Sequence, residues 1–579
     1  MKFKLYIFIF LIFFCNLASK KEKISFYDFP FSFETKISYF LWQNLYKNQY
    51  QNTIEDISKG IANQLPIYTK IAQLIHIGIS GKEINNSIID IFKEVPLGGV
   101  ILFKSNIESK EQVELLINDL QNVSLNFNNL PLFFSVDQEG GRVQRIDFIS
   151  DFPSAMAVGQ TGKIEYPWLV GFITGYETSN LGIHLVFAPV ADINNNPKNP
   201  VINTRSFGTT KEIVSKMVVN YIGGISLSNS IGFLKHFPGH GDTNIDSHHQ
   251  LPQINKDIEE LMSFELVPFI HGIENQALGI MIGHILFPKI DVYPSSLSKV
   301  IITDLLKQKL KFKGMVITDA MEMKAATNNF PIEDASLKSL QAGADIILLT
   351  AQNENFTKIF KKLKEKYETN ELTEERINEA VTKQIKYKLY CGLFDINLLK
   401  KYTIEEKTIH KYRKLFEYKK KLADKIYQDI KEKYPSLEEQ ISYDSIRSLQ
   451  KDFPKIQNTI IKIFINDPIY KETIEKNIEK NHIYVFEKKE FYLKNFTNED
   501  MILYEVSSIN EWNQISKLDL KYKILVGMYT GNPFENIMLK DNQYLIVSFS
   551  PTRTSKKALL KKILLDSVKK SEIALPESE

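Results

Sequence analysis

Side chains able to hold an oxygen-rich ligand or move a proton gather just after short apolar runs of this chain. Val136 is followed by Asp137-Gln138-Glu139-Gly140-Gly141-Arg142, and Val190 by Ala191-Asp192, with Asn203-Thr204-Arg205 in the long loop beyond. Leu234 is followed by Lys235-His236-Phe237-Pro238-Gly239-His240-Gly241-Asp242, His284 stands inside another apolar run, and Ile317 is followed by Thr318-Asp319. Carboxylates and imidazoles are the groups of acid–base and nucleophilic chemistry near neutral pH. Arg142 and Arg205 offer planar, multidentate donors to ligand oxygens, and Lys235 a cationic one. Asp246-Ser247-His248 sets a carboxylate two residues before an imidazole, where it can orient the ring and stabilise its charged form. His249 next to it leaves open which ring acts.

Each feature has a bland reading. An Asp after a strand commonly caps the next helix, a Gly-Gly pair makes a turn, and a His in a Gly-rich loop is often structural. Recurrence at the same end of at least five strands argues instead for one site.

The elements that must position these residues are legible as rhythm. Apolar runs fall at Gln73–Ile79, Gly99–Phe103, Leu132–Val136, His184–Val190, Gly232–Leu234, Gly279–Ile285, Gly314–Ile317 and Ala344–Leu349, each separated from the next by helical periodicity. Strands alternating with helices imply a parallel sheet, and eight such units suit a closed barrel, an open doubly wound sheet being the alternative. The expected fold is α/β: a (β/α)8 TIM-type barrel followed by a smaller α/β sandwich-like domain. Expected boundaries are a signal over 1–19, a helical lead-in over 20–70, the barrel over 71–395, a helical linker over 396–435 and the second domain over 436–579. Five further apolar runs support that domain: Thr459–Ile465, His482–Phe486, Met501–Val506, Tyr522–Met528 and Gln543–Phe549.

Composition narrows the class. At 579 residues, with 43% hydrophobic and 24% charged residues, the chain can build more than one ordinary core. A formal net charge of +3 gives no reason to expect nucleic acid as a partner. Lys2 and Lys4 precede the apolar run Leu5 to Phe14, then small residues, the pattern of an export signal too short to span a bilayer. Export to the periplasm or cell envelope is expected. Cys15 stands where a bacterial lipoprotein is cleaved, acylated and attached to the membrane, although Phe13 and Phe14 are bulkier than usual there; cleavage after Ala18 is the alternative. Cys391 is the only other cysteine, so an internal disulfide is excluded once the signal is removed.

Three segments carry a resemblance: Val136-Asp-Gln-Glu-Gly-Gly-Arg-Val-Gln-Arg145, Lys235-His-Phe-Pro-Gly-His-Gly-Asp-Thr-Asn-Ile-Asp-Ser-His248 and Val316-Ile-Thr-Asp-Ala-Met-Glu-Met-Lys324. They resemble glycoside hydrolase family 3, in its bacterial β-N-acetylglucosaminidase (β-N-acetylhexosaminidase) branch, over roughly residues 70 to 395, including Lys388. The resemblance implies retaining hydrolysis of terminal β-linked N-acetylglucosamine from cell-wall or chitin-type oligosaccharides. Asp319 matches the nucleophile, and His248 the acid/base, with Asp246 as its partner. Asp137, Arg142, Arg205, Lys235 and His236 would bind the sugar, supported by His240, Asp242 and His284.

Double displacement calls for no metal or other cofactor. A zinc site built from His236, His240, Asp242, His248 and His249 is the rival reading, since His and Asp at short spacing can ligate zinc. Functional rivals are a phosphorylase of the same branch, a β-glucosidase, and a catalytically retired glycan-binding surface protein. Retention of Asp319, His248 and Asp246 argues against the last.

Overall fold

A computed structural model describes residues 24–245, 250–327, 330–448, 460–477, 483–494, 496, 500–518, 524–531 and 543–567. The N-terminal apolar run and Cys15 therefore lie outside the described residues, as do Asp246, Ser247, His248 and His249. No helix among the described residues is long and apolar enough to cross a membrane.

Each of the eight expected runs overlaps a parallel strand: β1 (Ile75–Gly78), β2 (Gly99–Ile101), β3 (Phe133–Val136), β4 (Leu185–Val186), β5 (Ile231–Phe237), β6 (Gly279–Ile282), β7 (Met315–Thr318) and β8 (Ile347–Leu348). Their order is β7-β6-β5-β4-β3-β2-β1-β8. The two ends meet through a parallel bridge between Ile317 and Ile346, which closes the barrel. Strand residues are buried on both faces, as helices packed outside a parallel sheet require. The alternation is set by local chemistry. Asn85, Ser109, Thr210 and Thr373 each accept a hydrogen bond from the backbone of the helix they begin, satisfying donors that would otherwise be orphaned.

The β7–β8 seam has little ladder, and side chains reinforce it. Buried Asp345, just before β8, accepts from the Val316 N–H of β7 at 2.9 Å, Arg376 at 2.6 Å and Lys383 at 2.8 Å. Both cations stand on the helix Glu374–Tyr390, so that helix is bolted across the join.

The N-terminal lead-in is helical, with Phe33–Leu41 and Lys47–Gln64 packed into the same continuous core as the barrel and the long helix Glu406–Lys433. Beyond it lie β9 (Arg447–Ser448), β10 (Ile460–Phe464), β11 (Ile483–Phe486), β12 (Asp500–Val506), β13 (Ile524–Tyr529) and β14 (Gln543–Val547). The sheet order is β11-β10-β12-β13-β14-β9, parallel except for β9. Alternate residues feed two separate cores: Ile463, Met501, Leu503, Val526 and Ile546 on one face, Phe464, Ile502, Tyr504, Leu525 and Leu545 on the other. This three-layer arrangement fits the expected sandwich-like domain. β9 is the strand that the apolar pattern omits; it has two residues and sits at an edge.

Beneath the barrel, burial pushes the Lys388 ammonium down to about 7, although it donates to Gln73 Oε1 at 2.6 Å. In the unfolded chain the same group holds its proton to about 10.4. Between those values unfolding takes up a proton, so stability should rise with pH, by about 1 kcal/mol per pH unit for this one group. Urea midpoints should climb between pH 7 and 9.5, and the climb should be shallower in Lys388→Met. An unchanged slope in that variant would place the titration elsewhere.

Candidate active site

The carboxyl ends of the barrel strands surround a cavity of about 780 Å³, where a TIM-type barrel carries its site. Asp137, Arg142, Arg205, Lys235, His236, His240 and Asp319 all line it, with Arg145 and Glu322. Phe103, Phe187, Met281 and Met323 supply apolar wall.

The side chains at its base come from three neighbouring strands. β5 runs through Phe237, with its register against β6 shifted between Leu234 and Phe237. Successive residues of a regular strand point to opposite faces, yet Lys235 and His236 both line the cavity; the irregularity re-aims them. Lys235 Nζ lies 2.7 Å from Asp137 Oδ1 and 2.6 Å from Glu139 Oε1. Glu139 also receives Arg205 through two bonds of 2.8 Å, from Nε and Nη2. Burial favours the neutral form of Glu139, but Arg205 and Lys235 outweigh it and hold the carboxyl far below its usual range. Burial likewise opposes charge on Lys235, and Asp137 and Glu139 overcome that. Glu139, Lys235 and Arg205 are ionised together. Arg205 therefore reaches the cavity already clamped by Glu139 rather than as a free donor.

Glu139 was not among the expected site residues, and neither was Asp192. Fully buried Asp192, after β4, accepts from the His236 backbone N–H at 3.1 Å and the His240 N–H at 2.7 Å. Its Oδ2 lies 2.8 Å from His236 Nδ1, which assigns that nitrogen as the donor and turns Nε2 away from Asp192. Close backbone approach makes this possible: a Cβ on Gly241 would stand 1.7 Å from the Ile193 carbonyl oxygen. Burial pushes His240 down to about 4, so its ring is neutral at neutral pH.

Asp319 follows β7. Its N–H donates to Ile282 O at 2.9 Å, and its Oδ1 accepts from the Ala320 N–H at 2.8 Å. Burial raises this carboxyl, while His236, His284, the Ala320 N–H and Lys235 together bring it below the ordinary value. It is a carboxylate at neutral pH. His284 stands behind it: Nε2 donates to Ala320 O at 3.0 Å and Nδ1 accepts from Ser296 Oγ at 2.6 Å. Burial lowers its pKa, which fits that neutral tautomer.

Two expected residues behave differently. Asp242 does not line the cavity; it pairs with Lys256 at 2.8 Å, and Lys256 also binds Glu265. Arg142 lines the cavity but donates to the carbonyls of Val201 and Ile202, without a carboxylate ion-pair partner among the described residues. For the zinc reading, His236 Nδ1 and Asp242 are engaged elsewhere, and no metal-competent group of three His, Cys, Asp or Glu occurs among the described residues.

The Glycosyl hydrolase family 3 N terminal domain matches residues 67–386. Beta-hexosaminidase A of Pseudoalteromonas piscicida is 34% identical over 325 residues, 52% of this chain and 54% of that protein, so the match spans about half of that relative. Beta-hexosaminidase of Idiomarina loihiensis is 32% identical over 286 residues, 48% of this chain and 84% of that one. Among solved structures, a glycoside hydrolase family 3 beta-N-acetylglucosaminidase from Paenibacillus superposes with a TM-score of 0.73 at 24% identity, over 87% of this chain and 97% of that chain. At 87% of this chain, that likeness of fold reaches beyond the barrel.

Glu139→Gln removes one of the two carboxylates that two buried cations share. Breaking such a network costs about 3–5 kcal/mol, and urea unfolding should show it. Arg142→Gln, with no carboxylate partner to strand, should change stability by less than about 1 kcal/mol. Equal losses in the two variants would refute the charge balance described for the cluster.

Proposed function

Because the chain belongs to glycoside hydrolase family 3, we propose that it is a retaining exo-β-N-acetylhexosaminidase acting on terminal β-linked N-acetylglucosamine of cell-wall or chitin-type oligosaccharides. The observation that carries the reading is an ionised Asp319 in the wall of a cavity that also presents Asp137, Lys235, Arg205 and His236. A sugar's ring of hydroxyls suits that mixture of fixed donors and acceptors, and the apolar wall suits an acetyl methyl and the faces of the ring.

In the proposed mechanism an Asp319 oxygen attacks the anomeric carbon while the bond to the leaving oxygen breaks, and the His248 imidazolium gives that oxygen a proton. Neutral His248 then takes a proton from water as the water oxygen attacks the same carbon and Asp319 leaves. Asp246 would orient and charge the ring. Burial opposes the charge on Asp319, and His236, the Ala320 N–H and Lys235 help to keep it anionic before attack, which a nucleophile requires. The relatives' names favour water over phosphate as the second acceptor. Export, with Cys15 or the segment after Ala18 as the mature start, belongs to the same proposal, supported by the charged and apolar N-terminus. Sequencing the mature N-terminus from the native cell tests it, and an intact Met1 would sink it.

The wild-type protein should release 4-nitrophenol from the β-N-acetylglucosaminide without phosphate, and far more slowly from the β-glucoside. Asp319→Ala should lose on the order of 8 kcal/mol of barrier lowering, roughly six powers of ten. In the same series, His248→Ala should retain the first step on activated aryl glycosides, accumulate glycosyl-enzyme, and regain turnover with azide, an anion that needs no deprotonation. Near-normal turnover in Asp319→Ala, or equal losses on all leaving groups without azide rescue, would overturn the assignments.

A further inference from the structure

Among the described residues the cavity is lined by the barrel alone, yet the loop that supplies Asp137, Arg142 and Arg145 to it is tied to the second domain. Three sets of contacts make the tie. Gln138 Oε1 accepts from the backbone N–H groups of Arg145 at 3.0 Å and Ile146 at 3.2 Å, folding the loop back on itself. Gln138 Nε2 donates to Gln144 Oε1 at 3.4 Å, and Gln144 Nε2 donates to Asp151 Oδ1 at 2.7 Å. The other Asp151 oxygen accepts from Thr554 Oγ1 at 3.0 Å and from the Thr554 N–H at 3.4 Å, in the first turn of the second-domain helix Arg553–Ser567.

The loop is also pressed from behind. Gly140 and Gly141 take φ of +89° and +62°, and a Cβ on them would stand 2.6 Å from Pro153 O and from Ser154 Cβ respectively. The segment they lean on is held by the second domain: the Ser154 N–H donates to Ser550 Oγ at 3.0 Å, and Ser154 Oγ donates to the Phe549 carbonyl. Immediately after it, Met156 and Ala157 are buried in the second domain's own core, beside Phe464, Trp512 and Phe549.

We propose that the second domain braces this sugar-binding loop, with Asp151 as the positioning residue that passes the constraint from Thr554 through Gln144 and Gln138 to Asp137. Asp319 stands across the mouth, just after β7, and among the described residues no hydrogen bond joins it to Gln138, Gln144 or Asp151. Loosening the brace should therefore weaken sugar binding more than it slows bond breaking. The inference rests on the cavity being the sugar site.

Thr554→Val removes the hydroxyl donor at nearly constant volume, far from the cavity. It should raise KM for 4-nitrophenyl β-N-acetylglucosaminide about tenfold while kcat moves much less, as expected when a binding group is displaced by a fraction of an ångström. Thr554→Ser, which keeps the hydroxyl, should restore the parent values. Deuterium uptake in peptides spanning residues 138–150 should accelerate in Thr554→Val with uptake at β7 unchanged. Ser154→Ala cuts the other tether and should act in the same direction, and it serves if Thr554→Val does not fold. Unchanged KM and unchanged uptake over 138–150 in either folded variant would overturn the proposal. So would a uniform rise in uptake across both domains with KM intact, the mark of simple domain glue. If the wild-type protein cleaves no N-acetylhexosaminide, the functional reading fails, and the uptake comparison still decides the brace.

Discussion

Two carboxylates and two cations, buried within one another's reach at the base of the mouth, set the terms for the rest of this molecule. Asp137 and Glu139 follow β3, Arg205 lies in the loop after β4, and Lys235 is on β5. Burial alone works against the charge on Glu139 and on Lys235. Together they stay ionised, because each cation has a carboxylate within about 2.8 Å. The cluster therefore joins the ends of three adjacent strands, and it fixes which atoms remain for a ligand. Glu139 takes up Arg205, so Asp137, the less buried carboxylate, is the one exposed to the cavity.

The same logic recurs one strand further on. Asp192 spends its oxygens on His236 and His240, which fixes one ring and the backbone of the glycine-rich turn between them. Asp319 is held by its neighbour's N–H and by nearby positive or polarised groups, while His284 secures the carbonyl of Ala320. Carboxylates of this site are thus of two kinds. Some face the cavity, and others hold what faces it.

That distinction is where reading from sequence stopped. The eight barrel strands were legible, because buried parallel strands are unbroken apolar runs separated by capped helices. Five strands of the second sheet were legible for the same reason, and β9 was not, since two residues carry no period. Asp319, Asp137 and Lys235 could be placed at strand ends. Glu139 and Asp192 stand in the same stretches with the same chemistry, and nothing in a string of letters says that their oxygens turn toward Arg205 and His236. The irregularity in β5 was equally hidden: Lys235 and His236 share a cavity because pairing with β6 slips, not because of any motif spacing. Asp242 is expected to support the cavity-lining residues, and only the position of Lys256 shows where its carboxylate is paired.

The join between β7 and β8 has a consequence for how the protein comes into being. Asp345 is neutralised there by Arg376 and Lys383, which lie well downstream on the helix Glu374–Tyr390. A ribosome delivers Asp319 long before it delivers those two cations. Until they emerge, the buried aspartate of the seam beside β7 has Lys307, 3.5 Å away, in place of its full set of cations. Asp319 is made early, and the seam beside it is completed late, by residues that do not line the cavity.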